Sequence, residues 1–263
     1  MRKRSISVVA TAVAATAALT ASVALAGPTV TGPDGNTQSI EAVISPKKLP
    51  KKTTAPATLK VVTKTATTTA ANGVPSPAVK ATIDFAKGAV IFAKGLPTCN
   101  ASVLQNVSTE IAEQKCGKAK IGSGVAHALL PVGAKVLPIE QKVTAFNGVP
   151  KGGKPTVLLH TYGTVPFQTT LVLNGTVINY NKQGYGPRLE IQIPLIAGGT
   201  GALTEFQVTI NKKWSYKGKK VSFISAECPT KTLKTRSVFT YLDGQSLEAL
   251  NSQPCTQKPE PKK

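Results

Sequence analysis

Leu189-Glu190-Ile191-Gln192-Ile193-Pro194-Leu195 places an apolar side chain at every second residue. Successive side chains of an extended strand point to opposite faces, so Leu189, Ile191, Ile193 and Leu195 share one face and Glu190 and Gln192 the other. The same period returns downstream at Phe206, Val208 and Ile210, and again at Val221 and Phe223 after a Lys217-Gly218 turn. Upstream, Thr169 to Tyr180 reads as two short strands around Asn174-Gly175, the dipeptide preferred by a type I′ hairpin. That turn would set Leu173 against Thr176 and Leu171 against Ile178. Further strand candidates are 58–64, 81–85, 89–93, 119–128, 139–146, 155–162 and 237–242. Short β-branched segments punctuated by Gly and Pro indicate an antiparallel β-sandwich or barrel-like domain, here over 58–256. The expected fold class is therefore mainly β, with one short helix and a flexible arm in front.

The helix candidate is Ser102 to Lys115, with Val103, Val107, Ile111 and also Leu104 as stripe residues, Asn100 or Ser102 as cap and Gly117 past the end. Cys99 and Cys116 bracket it, and Cys228 and Cys255 complete an even set of four. Nearest-neighbour pairing closes two local loops, each worth about 3 kcal/mol in the chain-entropy model. One strain is visible in this reading. Fourteen helical residues span about 21 Å, too far for their flanking cysteines to meet unless the helix is shorter. Zinc is the alternative use of the cysteines, but there is no Cys-x-x-Cys and the histidines are only His127 and His160. No metal and no cofactor is expected.

An even cysteine set suits an exported chain, and the first 26 residues supply the export signal. Met1-Arg2-Lys3-Arg4 precedes an uncharged run from Ile6 to Leu25 that closes on Ala24-Leu25-Ala26, a small-residue cleavage site. A membrane anchor is the competing reading, disfavoured because Ala and Thr are weakly apolar. Pro28 occupies the place of a lipobox cysteine. No later segment reads as transmembrane, so the mature chain is expected to be secreted. Residues 27–57 are rich in Pro, Gly, Thr and Lys, including Lys47-Lys48-Leu49-Pro50-Lys51-Lys52, and read as a flexible basic arm. Residues 257–263 read as a basic tail.

The formal charge is +20, and loss of Arg2, Lys3 and Arg4 with the signal peptide leaves about +17. That balance suits anionic cell-envelope polymers or lipid surfaces, or else serves solubility alone. Aromatics make up only 5% of the chain, against a base-stacking surface, so no nucleic acid is expected. The most suggestive contact element is Lys212, Lys213, Trp214, Lys217, Lys219 and Lys220, a basic hairpin tip holding the only tryptophan. Trp214 and Tyr216 also continue the parity of Phe206 to Ile210, so the rings have a second reading as cover for the core.

Gly95-Leu96-Pro97-Thr98-Cys99, Cys116-Gly117-Lys118-Ala119-Lys120-Ile121-Gly122-Ser123-Gly124, Lys154 to His160 and Tyr216 to Val221 together resemble a group of exported actinobacterial proteins without an assigned activity. The resemblance covers roughly 80–228. It implies a bacterial secreted or envelope setting, transfers no catalytic residue, and lowers the weight of the sequons at Asn100, Asn106 and Asn174.

Catalytic patterns are weak. Gly122-Ser123-Gly124 lacks the spacing of a serine elbow and reads as a bend. His160 alternates with Leu158 and Tyr162 on one strand face. Glu140, Glu190, Glu205 and Glu227 are scattered over separate segments rather than paired, as glycoside hydrolysis needs. Gly198-Gly199-Thr200-Gly201 lacks the Lys-Ser/Thr of a P-loop and reads as a hairpin loop. The expected function is a non-catalytic exported binding or structural envelope domain, with an apolar-ligand carrier and a secreted hydrolase as alternatives.

Overall fold

A computed structural model describes residues 27–259. In chain order its strands are β1 Val30–Thr31, β2 Asn36–Ser45, β3 Lys48–Pro50, β4 Ala55–Thr67, β5 Ala78–Ala86, β6 Ala89–Ile91, β7 Lys120–Val132, β8 Lys135–Lys151, β9 Lys154–Gly163, β10 Thr169–Asn179, β11 Tyr185–Gln192, β12 Ala202–Ile210, β13 Lys213–Tyr216, β14 Lys219–Ser222, β15 Ile224–Ala226, β16 Thr232–Tyr241, β17 Ser246–Pro254 and β18 Thr256–Lys258. The α-helix is α1, Thr109–Cys116. The main sheet runs β1-β2-β4-β12-β7-β8-β9-β10-β11-β5-β16-β17, and its strands pair antiparallel throughout.

This sheet is nearly closed into a barrel, which hides most of its edge. The seam between β2 and β17 is joined by side chains. Asn251 Oδ1 accepts from the Ala42 N–H at 3.2 Å, while Gln253 accepts from the Ile44 N–H and donates to its carbonyl, both at 2.7 Å. These amides stand in for the backbone partners that a ladder would supply. Gln38 is fully buried nearby, accepting hydroxyl bonds from Thr65 at 2.7 Å and Tyr241 at 2.8 Å.

Alternation works as the sequence requires. Leu189, Ile191 and Ile193 on one side and Phe206, Val208 and Ile210 on the other face a common interior cavity of about 80 Å³. A void of that size costs on the order of 2 kcal/mol in lost packing. One end of the barrel is plugged by β6, β15, Phe223 and the β13–β14 hairpin, and β18 pairs parallel with β3 beside it. The other end is formed by the β1–β2, β4–β5, β7–β8, β9–β10, β11–β12 and β16–β17 connections.

Several expectations need correction. The supposed arm at 27–57 is folded from Val30 onward: β2 pairs along its whole length with β4, and Ile40, Ala42 and Ile44 enter the core. Its polar residues disguise it, because Gln38 bonds to distant Thr65 and Tyr241 and Asn36 Oδ1 accepts from the Ser76 N–H. Of the expected tail at 257–263, Gln257 and Lys258 pair with Leu49 and Pro50, and residues 260–263 lie outside the described residues. Asn174-Gly175 makes no turn; β10 runs straight through it, paired with β9 on one side and β11 on the other. A Cβ on Gly175 would lie 2.8 Å from Leu189, so glycine serves close packing there. Gly198-Gly199-Thr200-Gly201 closes only a local turn, bridged at Ile196 and Gly201, and does not join neighbouring strands, because β11 and β12 are not adjacent in the sheet. Gly122-Ser123-Gly124 lies within β7, its glycines pressed on the β12 backbone. Residues 1–26, where the signal peptide is expected, lie outside the described residues.

Candidate functional site

The two disulfides join Cys99 to Cys116 and Cys228 to Cys255, with Cα–Cα distances of 5.5 and 6.0 Å. The first is possible because the helix is shorter than the sequence pattern suggests. A 3₁₀ turn, Ala101–Leu104, is capped by Asn100, the chain then breaks, and Ser108 caps α1. The segment from Cys99 to Ala119 thus forms a strap that doubles back on the outer wall. Of the expected stripe, Val103 and Ile111 are exposed, while Leu104 packs with Ala112, Cys99 and Cys116 on Phe146, Leu158 and Val172, and Val107 borders the same cluster.

His160 lies under this strap. It is fully buried, and its Nε2 meets the Val107 carbonyl at 3.1 Å, an oxygen that also accepts from Thr170. Burial pushes its imidazole below the usual range, with the Val107 bond pulling the other way. Ser123 shares a cross-strand row with His160, but two strands away across Thr144. That places their backbones about 10 Å apart, and no base, nucleophile and orienting group come together there.

The outer wall holds one arrangement that the sequence reading missed. His127 stands in register between Glu205 and Glu140, with its Nε2 3.4 Å from Glu140, in an open groove shared with Glu110, Lys142 and Tyr162. Strand register brings these groups together, which spacing along the chain does not reveal. Glu190 sits instead beside Arg188, at 4.0 Å, and Glu227 lies in the connection after β15. Among the described residues, no cluster of three His, Cys, Asp or Glu side chains could hold a metal ion.

The basic hairpin divides its rings from its lysines. Trp214 stacks on Phe92 at 5.8 Å and donates to the Lys94 carbonyl, while Tyr216 meets Phe92 edge-on at 5.7 Å. The rings therefore close the plug. Lys213, Lys217, Lys219 and Lys220 are exposed, and Lys212 is half-buried.

Those lysines are part of a larger pattern. The same end carries Lys47, Lys48, Lys51 and Lys52 between β2 and β4, Lys87 and Lys94 around β6, and Lys151 and Lys154 at the β8–β9 turn. It also carries Lys182, Lys231 and Lys258, against one carboxylate among the described residues, Glu227. The strap alongside balances Lys115 and Lys118 with Glu110 and Glu113. The six connections at the other end contain no lysine or arginine, only Asp34 and Asp243, and one exposed lysine, Lys135, flanks them at the start of β8.

Arginine is kept out of both ends. Arg188 and Arg236, the two arginines among the described residues, both clamp buried Asp84 with shortest contacts of 2.6 Å. Tyr180 lies 3.7 Å under the Arg188 guanidinium, and Tyr185 lies 5.0 Å from that of Arg236. Burial raises the Asp84 carboxyl, but hydrogen bonds and charge from both arginines outweigh it and leave the group below the ordinary carboxylate range.

Comparison with known proteins finds no matching family model, curated protein or solved structure. Among the described residues, no helix is long and apolar enough to cross a membrane.

Proposed function

We propose that the chain is an exported, non-catalytic binding domain that docks its lysine-bearing end on a phosphate-bearing polymer of the cell envelope. The observation that carries this reading is the segregation of charge, since the turns and strand ends at one end are dense in exposed lysine, while those at the other hold one, Lys135 beside the β7–β8 turn. Lysines spread only for solubility would populate both ends alike. Gathered on one surface, they raise a positive potential that concentrates a polyanion.

The choice of lysine over arginine narrows the partner. A guanidinium fork favours bidentate phosphate geometry, whereas ammonium groups on flexible stems act as point charges tolerant of position. Such a surface suits a long, irregular polyanion better than one stereospecific phosphate. The ring packing of Trp214, Tyr216 and Phe92 removes the aromatic wedge that a bilayer-inserting tip would offer. Two disulfides and the N-terminal export signal support an extracellular setting.

The test is cosedimentation of the mature chain with bacterial cell walls that retain, or have been stripped of, their phosphate polymers, over a salt series. Binding that needs those polymers and weakens steeply with salt is expected. Equal binding to stripped walls, or binding insensitive to salt, contradicts the reading; preferential binding to anionic vesicles replaces the polymer with a lipid surface.

A further inference from the structure

We infer that the lysine-poor end is the mouth of a binding site for a single unbranched hydrocarbon chain carrying an uncharged head. Three spaces lie in sequence along the barrel interior. The mouth is a groove of about 300 Å³ whose lining holds no charged residue. Gln141, Leu171 and Ile196 belong both to that groove and to a constriction of about 20 Å³ behind it. The constriction shares Leu173, Ile193, Leu203 and Phe206 with the interior cavity of about 80 Å³, which Thr63 alone interrupts as a polar lining residue. These shared walls describe one track from solvent to core.

Each part of the track restricts the occupant. The cavity offers no hydrogen-bonding group beyond Thr63, so what fills it is hydrocarbon. The constriction is too narrow for a ring system and suits a linear chain. Its polar groups bond to one another: Thr161 donates to Gln141 at 2.8 Å, and Gln141 donates to Thr169 at 2.6 Å. A chain passing them finds no unpaired donor or acceptor. Around the mouth, Val165, Phe167, Leu195 and Leu242 are 72%, 48%, 43% and 50% exposed, an apolar rim that an amphiphile would cover. Asp34 and Asp243 in the surrounding connections, with no cation beside them in those connections, disfavour an anionic head.

The β11–β12 connection supplies a lid. β11 and β12 stand five places apart in the sheet order, so Ile193–Gly201 must cross the mouth between opposite walls. Ile193, Pro194 and Ile196 form one side of the constriction. Ala197, Gly198 and Gly199 take positive φ values of 47°, 70° and 98°, a local bend on which the crossing turns.

The experiment is calorimetric titration of the mature chain with straight-chain primary alcohols of increasing length, and with fatty acids of matched length at neutral pH. One saturable site is expected, with Kd falling about fourfold per added methylene until the track is full and level thereafter. The ionised fatty acids should bind more weakly than the alcohols. Leu173→Trp, which fills the constriction, should abolish binding, while Lys212→Gln and Lys213→Gln at the far end should leave it unchanged. Should Leu173→Trp fail to fold, exposed Phe167→Asp at the rim decides, with at least a fivefold loss expected. Absence of a saturable site, no dependence on length, equal affinity for a polycyclic alcohol, or unaltered binding in the folded rim variant would overturn the inference.

Discussion

The two ends of this barrel are built from the same kind of connection, yet they differ in nearly every physical respect. One is plugged by aromatic rings and a parallel strand pair, held by a disulfide and covered in lysine. The other is open, apolar and poor in lysine, and its crossing segment bends through residues of positive φ. The contrast teaches that packing strength and exposed charge are placed together, so that a strongly repelling surface rests on the most firmly tied part of the fold. Clustered like charge destabilises a compact state, and the plug is where that cost is met.

Unequal truncations give the largest test of this difference. Phe223→Ala removes a ring that is 1% exposed in the plug and should cost about 3–5 kcal/mol, whereas Phe167→Ala at the rim should stay within about 0.5 kcal/mol. Urea midpoints at constant m-value would show it. Comparable losses at the two sites would erase the distinction. Replacing Cys228 and Cys255 by serine opens a loop of sequence separation 27 and should cost about 3.5 kcal/mol in urea unfolding.

A pH series sharpens the comparison on the wall between the ends. Because the folded Asp84 carboxyl titrates below its unfolded value, its contribution is present at neutral pH and is lost as the pH falls through the ordinary carboxylate range towards the folded pKa. Thermal melts should show an acid-side decline that is shallower in Asp84→Asn; identical profiles would remove Asp84 from the account. The smallest effect belongs to the lid. Gly199 at φ 98° should lose about 1 kcal/mol on change to alanine, read as faster hydrogen exchange in 193–201 with the plug unaffected.

Much of the architecture was legible in the sequence wherever a strand alternates cleanly, as at 189–193 and 206–210. Of the three pairings that four cysteines allow, the structure holds the preferred nearest-neighbour one, and the crowding of Cys99 and Cys116 pointed to a tilted or shorter helix. Local rules failed where distant partners decide. Asn174-Gly175 carries the strongest short-range hairpin signal in the chain, but β9 and β11 pair across it and outweigh the turn preference. The polar face of β2 hid a core strand because its amide oxygens accept from Thr65, Tyr241 and the Ser76 backbone, all far away in sequence. The lysine end escaped notice for a different reason. Individual clusters at 47–52 and 212–220 stand out in the sequence, but their shared location depends on strand direction and sheet order. The His127 row is similarly a product of register.

The central claim is that one end of the barrel carries the affinity for polyanions. It is tested most directly by the salt dependence of binding to long-chain inorganic polyphosphate. Two variants of the mature chain are compared with the parent: Lys212, Lys213, Lys219 and Lys220 all changed to glutamine, and Lys60, Lys80, Lys135 and Lys142 changed likewise. If the lysine end is the docking surface, log Kd against log salt flattens in the first variant, by about 0.7 per contact removed, and affinity falls at least tenfold. The second variant then stays close to the parent. Equal losses in both variants would show diffuse attraction by net charge and contradict the account.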